Sequence, residues 1–268
     1  MQAGSFQVVA CDLDGTLLRS DGTIDARTRR ALTGLDEAGI AFVICTARPY
    51  RWVQGLAEVA GTHGVALCSN GSVVWDLHRQ AVVETRPMDP TLAEAVLTQL
   101  EIELPDATWA AERPTGAVRE PAYIPAFGSP DTWLVVERDA LLDEPPVKLL
   151  VRHPTLLADA LLQRAHASVG HRAEITHSNS TDGLIEISDR GVNKASALRR
   201  FCDQLGADAE SVVAFGDMPN DLGMLRWAGR GVAVANAHPD VRSAADEVTA
   251  SNDEAGVAQV LERLLSCS

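Results

Sequence analysis

Along the first third of the chain, short apolar runs end repeatedly in polar clusters. Phe6-Gln7-Val8-Val9-Ala10-Cys11 gives way to Asp12-Leu13-Asp14-Gly15-Thr16. Ile40-Ala41-Phe42-Val43-Ile44-Cys45 runs into Thr46-Ala47-Arg48-Pro49, and Val65-Ala66-Leu67-Cys68 into Ser69-Asn70-Gly71. Between the first two runs, Ile24, Thr28, Ala31, Leu32 and Leu35 follow helical spacing, with Asp25 placed as an N-terminal cap and Gly39 as a stop. A second helical stretch is expected around Val53 to Val59. Strand, helix, strand, helix, strand predicts parallel pairing through right-handed crossovers.

The same grammar returns near the C-terminus. Leu198, Phe201, Cys202 and Leu205 mark a helix, followed by the strand-like runs Val212-Val213-Ala214-Phe215 and Val232-Ala233-Val234. In an open α/β sheet, ligands bind outside the carboxyl ends of the strands, so the polar clusters converge on one expected site. The middle of the chain differs in character. It is rich in proline (Pro105, Pro114, Pro121, Pro145 and Pro146 among others). It carries the runs Trp133-Leu134-Val135-Val136-Glu137, Val147-Lys148-Leu149-Leu150-Val151 and Gly183-Leu184-Ile185-Glu186-Ile187, with a helical stretch from Leu156 to Ala165. A second α/β domain inserted after the third strand is expected, giving a first core segment at 1–84, an insertion at 85–189 and a second core segment at 190–268.

Composition narrows the function classes. Apolar content of 46% and charged content of 22% are those of an ordinary globular protein, and a net charge of −14 argues against nucleic acid or an anionic membrane as partner. No run reaches the ~18 apolar residues of a membrane span, and Met1-Gln2-Ala3-Gly4-Ser5 lacks a basic leader. Cys11, Cys45, Cys68, Cys202 and Cys267 are odd in number and widely spaced, which predicts a reduced, cytoplasmic protein without a disulfide framework.

The chemistry concentrates at the strand ends. Asp12 and Asp14 leave a buried strand two residues apart, on one side of the extended chain, where each disfavours ionisation of the other. A divalent cation would resolve that conflict beside a carboxylate nucleophile, although an Asp-Gly turn in solvent is an alternative origin for the pattern. Gly216-Asp217-Met218-Pro219-Asn220-Asp221 puts a second acidic cluster at another strand end. Magnesium suits oxygen ligands of this kind, with one or two carboxylates joined by substrate phosphate. Lys194 opens a helix, where a cation is unfavourable unless an anion lies beside it. Thr46 can donate to a phosphate oxygen or simply cap a turn; Arg48 can grip an anion or pair with a carboxylate. Asn70-Gly71 reads as a hairpin turn whether or not it touches substrate.

In that order, Asp12-Leu13-Asp14-Gly15-Thr16, Thr46, Lys194 and Gly216-Asp217-Met218-Pro219-Asn220-Asp221 resemble the four motifs of the haloacid dehalogenase superfamily. Asp189-Arg190-Gly191-Val192-Asn193-Lys194 and Val234-Ala235-Asn236-Ala237 are similar to its Cof-type sugar-phosphatase branch, while Thr46-Ala47-Arg48 and Ala195 stand where that branch often has glycine. The resemblance implies a Rossmann-like parallel-sheet core with an inserted α/β cap domain. It also implies hydrolysis of a small phosphomonoester, a sugar phosphate or related metabolite, with Asp12 as nucleophile and Asp14 as acid and base. Thr46 and Lys194 would stabilise the transferring group, with Arg48, Asn70, Gly71 and Asn220 around the substrate. Mg2+ would sit among Asp12, Asp14, Asp217 and Asp221, with Asn220 and Asp221 orienting its waters or Lys194. A monomer or weak homodimer is expected. A phosphomutase of the same superfamily, a phospho-accepting receiver and a binding protein with an idle site are the competing readings. Trp109, Tyr123, Phe127 and Trp133 are candidates for ring stacking or for the core of the inserted domain.

Overall fold

The computed structural model describes residues 6–125, 132–180 and 182–266; Met1-Gln2-Ala3-Gly4-Ser5, Phe127 and Cys267 lie outside them. Two compact units form, one from the chain up to Glu84 together with the chain from Asn193, the other spanning Thr85–Val192.

The first unit is built on an eight-stranded sheet. Its strands in chain order are β1 (Val8–Cys11), β2 (Ala41–Cys45), β3 (Val65–Cys68), β4 (Val73–Asp76) and β5 (Ala81–Thr85), then β12 (Val212–Gly216), β13 (Arg230–Ala233) and β14 (Glu247–Val248). The spatial order is β14-β13-β12-β1-β2-β3-β4-β5. From β14 to β3 every pairing is parallel, and β4 runs antiparallel to β3. Central strands β1 and β12 are buried on both faces, which is why they read as unbroken apolar runs. Helix α1 (Ala26–Glu37) begins where the Asp25 carboxylate accepts from the N–H groups of Arg27 and Thr28, and Gly39 follows its end at φ +72°. It packs against α7 (Gly256–Ser266), and α4 (Lys194–Leu205) packs against α5 (Leu222–Trp227); α6 (Pro239–Ala244) precedes β14. The helix expected around Val53 to Val59 is instead a pair of short 3-10 segments, Tyr50–Trp52 and Gln54–Val59, with Gly55 inside the second.

The second unit holds a six-stranded sheet ordered β10-β11-β9-β6-β7-β8. Its elements are α2 (Pro90–Glu103), β6 (Thr108–Arg113), β7 (Gly116–Arg119), β8 (Leu134–Val135), β9 (Lys148–Arg152), α3 (Ala158–Val169), β10 (Glu174–Thr176) and β11 (Leu184–Ser188). Helices α2 and α3 cover one sheet face through Val96, Leu100, Leu161 and Ala165 against Trp109, Leu149 and Ile185. Strand alternation puts Ala110 and Leu150 on the other face with Tyr123 and Trp133, whose rings lie 5.9 Å apart. Trp109, Tyr123 and Trp133 are therefore core side chains, nearly all of their surface withdrawn from water. Beyond Val135, the run expected to continue to Glu137 leaves the sheet.

Candidate active site

Asp12 follows β1 directly and its backbone N–H donates to the carbonyl of Phe215 on β12, so the nucleophile candidate is fixed to the centre of the sheet. The next residues turn back sharply: the N–H groups of Leu17 and Leu18 both donate to Leu13 O, and Gly15 adopts φ +77°. That turn allows Gly15 to pass beneath Asp217, whose Oδ2 would lie 2.5 Å from any added Cβ. Thr16 Oγ1 donates to Asp217 Oδ1 at 2.9 Å.

Lys194 sits at the first turn of α4 and is 1% exposed. Its ammonium donates to Asp12 Oδ1 at 2.5 Å and to Asp221 Oδ1 at 2.7 Å. Burial works against the charged amine, and Asp12 and Asp221 overcome it, holding the group protonated well above the ordinary lysine range. The cation at a helix N-terminus is thus balanced by two carboxylates. Asn193 caps the helix: its side chain accepts from Ser196 N, while Asn193 N donates to Ser196 Oγ. Asp221 is fully buried, and its Oδ2 accepts from the N–H groups of Asp217 and Met218 at 3.0 Å each. Both of its oxygens are therefore engaged by donors.

Ligand atoms of Asp12, Asp217 and Asp221 all fall within 4.8 Å of one another. Three buried carboxylates face one ammonium, an imbalance that registers on the acids. Burial, reinforced by Asp221 and Asp217 and opposed by Lys194, lifts the Asp12 carboxyl well above the usual range. Asp217 is pushed up to about 7 by burial and Asp221, against Thr16 and Lys194. A divalent cation would supply the missing positive charge, so the donor set fits one. The Asp14 carboxylate stands apart from this cluster. Arg48 clamps it through Nε to Oδ2 at 2.8 Å and Nη2 to Oδ1 at 2.6 Å.

Thr46 follows β2 directly and is buried, its Oγ1 accepting from Arg48 N. The turn after β3 is locked to it, since Ser69 N donates to Arg48 O and Asn70 N to Thr46 O. Asn70 is left-handed at φ +55°, and its Oδ1 accepts from Asn220 Nδ2 at 3.1 Å. Gly71, at φ +93°, packs so closely under α4 that a Cβ would meet Asn193 O at 2.6 Å. All ten residues singled out in the sequence thus lie at the ends of β1, β2, β3 and β12 or the start of α4. Cys11 lies next to Asp12, but burial and then Asp12 push its thiol up, the opposite of what a thiolate nucleophile needs.

Some contributors were not read as site residues. Thr16 has no signal in the sequence beyond its place in the Asp12–Thr16 motif. Asn236 Nδ2 donates to Gly15 O at 2.7 Å, its Oδ1 accepts from Asn252 N, and buried Asn252 donates to Leu18 O at 2.8 Å. These amides brace the loop carrying Asp12 and Asp14 against a segment more than 200 residues away. Asn252 sits inside a Ser251-x-x-Glu254 capping signature before α7, which marks a helix start and gives no hint of the contact.

A family model described as haloacid dehalogenase-like hydrolase matches residues 9–261. A pyridoxal phosphate phosphatase of Escherichia coli is 30% identical over 95% of this chain and 97% of its own length. A 5-amino-6-(5-phospho-D-ribitylamino)uracil phosphatase of Bacillus subtilis is 28% identical over 96% of this chain and 94% of its own. Among solved structures, a haloacid dehalogenase-like hydrolase from B. subtilis superposes at a TM-score of 0.81 with 26% identity, covering 96% of this chain and 99% of that one. A subclass IIB sugar phosphatase superposes at 0.78, covering 96% and 98%; at 19% identity it speaks to the fold alone.

Proposed function

The chain belongs to the haloacid dehalogenase-like hydrolases, and from that premise we propose that it is a magnesium-dependent phosphatase acting on a small phosphorylated metabolite through an aspartyl-phosphate. The observation that carries the reading is the buried set Asp12, Asp217 and Asp221, whose charge the ammonium of Lys194 only partly offsets. Asp12 attacks phosphorus in line, and the ester oxygen leaves with a proton from Asp14. Water then attacks the phosphorus of the acyl phosphate and passes its proton to Asp14, which frees inorganic phosphate and restores the Asp12 carboxylate. Lys194 and the Thr46 hydroxyl stabilise charge on the transferring group. Asp12, Asp217 and the main-chain carbonyl of Asp14 would hold a magnesium ion, whose charge screens the nucleophile from the phosphate. Asp221 supports that arrangement from behind, holding Lys194 with one oxygen and the Asp217–Met218 backbone with the other. Asn220, tied to Asn70, faces the substrate side in this reading. The relatives named for pyridoxal phosphate and for a ribitylaminouracil phosphate make both compounds first choices for a screen. The buried cysteines Cys11, Cys45, Cys68 and Cys202, which are not joined in disulfides, suit a cytoplasmic setting.

Phosphate release from those compounds and from p-nitrophenyl phosphate tests the proposal. Activity should vanish on chelation, return with magnesium, and be lost in Asp12→Asn, which keeps the shape of the side chain without the nucleophile. Turnover by folded Asp12→Asn, or full activity after exhaustive chelation, would overturn it.

A further inference from the structure

We propose that Arg48 is a positioning residue for Asp14, fixing the plane of the carboxylate that serves the leaving oxygen, and that it does not bind the substrate's phosphate. The inference rests on the phosphatase reading above, in which Asp14 is acid and then base.

The Asp14 side chain is 54% exposed, and little packing surrounds it. The terminal torsion of an aspartate is broad, so nothing intrinsic to the residue sets where its two oxygens point. Arg48 sets it: a planar guanidinium holding both oxygens defines the carboxylate plane as well as its position. The second lone pair of each oxygen is left to carry the proton that Asp14 gives to the leaving oxygen and later takes from water. The guanidinium is itself referenced to the sheet. Pro49 follows Arg48 and biases its backbone toward extended conformations. Its N–H donates to Thr46 Oγ1 at 3.0 Å and its carbonyl accepts from Ser69 N at 2.9 Å. The ends of β2 and β3 thereby determine where an acid on the loop after β1 is aimed.

The competing role, a direct grip on phosphate, fits the geometry less well. Nε and Nη2 are committed to Asp14, and Lys194 already brings a buried positive charge to Asp12. Arg48 is also 30% exposed, whereas Lys194 and Thr46 are each 1% exposed. The one Arg–Asp contact therefore separates two functions: charge for the phosphoryl group comes from Lys194, and orientation of the acid comes from Arg48.

The test compares two esters by kcat/KM, which reports transfer to Asp12 and excludes the later hydrolysis step. Glycerol phosphate has an alkoxide leaving group that needs a proton; p-nitrophenyl phosphate does not. Because general acid catalysis contributes typically 10²–10⁴-fold, Arg48→Ala should lower kcat/KM for glycerol phosphate by about 10–100-fold and for p-nitrophenyl phosphate by less than about threefold. Arg48→Lys, which keeps charge and loses the fork, should show the same selectivity. It carries the comparison should Arg48→Ala fail to fold. Millimolar methylguanidine should restore Arg48→Ala on glycerol phosphate, and adding Arg48→Ala to Asp14→Asn should cost little more than Asp14→Asn alone. Equal losses on both esters, or losses that multiply in the double variant, would place Arg48 on the phosphate and overturn the inference while leaving the phosphatase reading intact. An Asp14→Asn enzyme with wild-type kcat/KM on glycerol phosphate would instead remove the acid role, and the inference with it.

Discussion

A methyl group at Gly15 would lie 2.5 Å from Oδ2 of Asp217, at a residue whose φ of +77° already disfavours any side chain. Gly22 has nearly the same φ, +79°, with nothing within 4 Å of the corresponding point. The pair separates backbone strain from collision with the acidic cluster. Gly15→Ala and Gly22→Ala should each cost about 1–2 kcal/mol in chemical denaturation. Only Gly15→Ala should also abolish magnesium-dependent turnover, because Asp217 must move to make room; equal activity in the two variants would refute that role for Asp217. At this scale much was legible in the chain. The Asp12-x-Asp14 spacing, the strand-end Asp217 and Lys194 at a helix start each carry a physical oddity that a ligand resolves. The Arg48–Asp14 clamp was left open because a bidentate pair depends on side-chain direction across two strand ends, which spacing does not encode.

Elements were legible wherever one physical rule dominated. β1, β2, β3 and β12 are buried runs that stop at polar residues, and α1 and α4 have capped starts, apolar faces and a glycine after the last turn. β6 escaped notice because Trp109, Ala110, Ala111 and Glu112 are all buried, so the period-two signal is absent; Glu112 is inside because Lys148 pairs with it. α2 did carry a readable pattern, with Asp89 as cap, Pro90 in the first turn and Ala93, Val96, Leu97 and Leu100 buried. The proline density around it hid that pattern. The loop after β1 depends on an element far along the chain. Asn252→Ala would leave the Leu18 carbonyl without its buried donor and should cost about 1–3 kcal/mol. Leu18 O lies on the turn that carries Asp12 and Asp14, so kcat should fall as well, even though the Asn252 main-chain N–H, kept in this variant, still holds Asn236 on Gly15 O. A stability loss with unchanged kcat would show that the brace does not reach the nucleophile.

Every side chain assigned to chemistry belongs to the unit built on the eight-stranded sheet, and Thr85–Val192 contributes none of them. Excising residues 86–188 should leave slow magnesium-dependent hydrolysis of p-nitrophenyl phosphate and remove discrimination among natural substrates; an unchanged substrate ranking would put specificity in turns such as Asn70-Gly71. The acidic cluster also makes the stability of the whole molecule depend on pH and metal together. Asp217 titrates near 7 when folded against 3.8 for an ordinary aspartate, so between those values the metal-free folded chain binds more protons than the unfolded one. Its contribution to stability is therefore complete below about pH 4 and is lost as pH rises toward 7. Magnesium favours the ionised carboxylates and stabilises only the folded chain, so its benefit should run the other way. The rise in Tm on replacing chelator with magnesium should be small near pH 5 and grow steadily to pH 8. Asp217→Asn, which cannot ionise, should flatten that growth. A magnesium increment independent of pH in the wild-type protein would mean that the cation does not bind among these carboxylates.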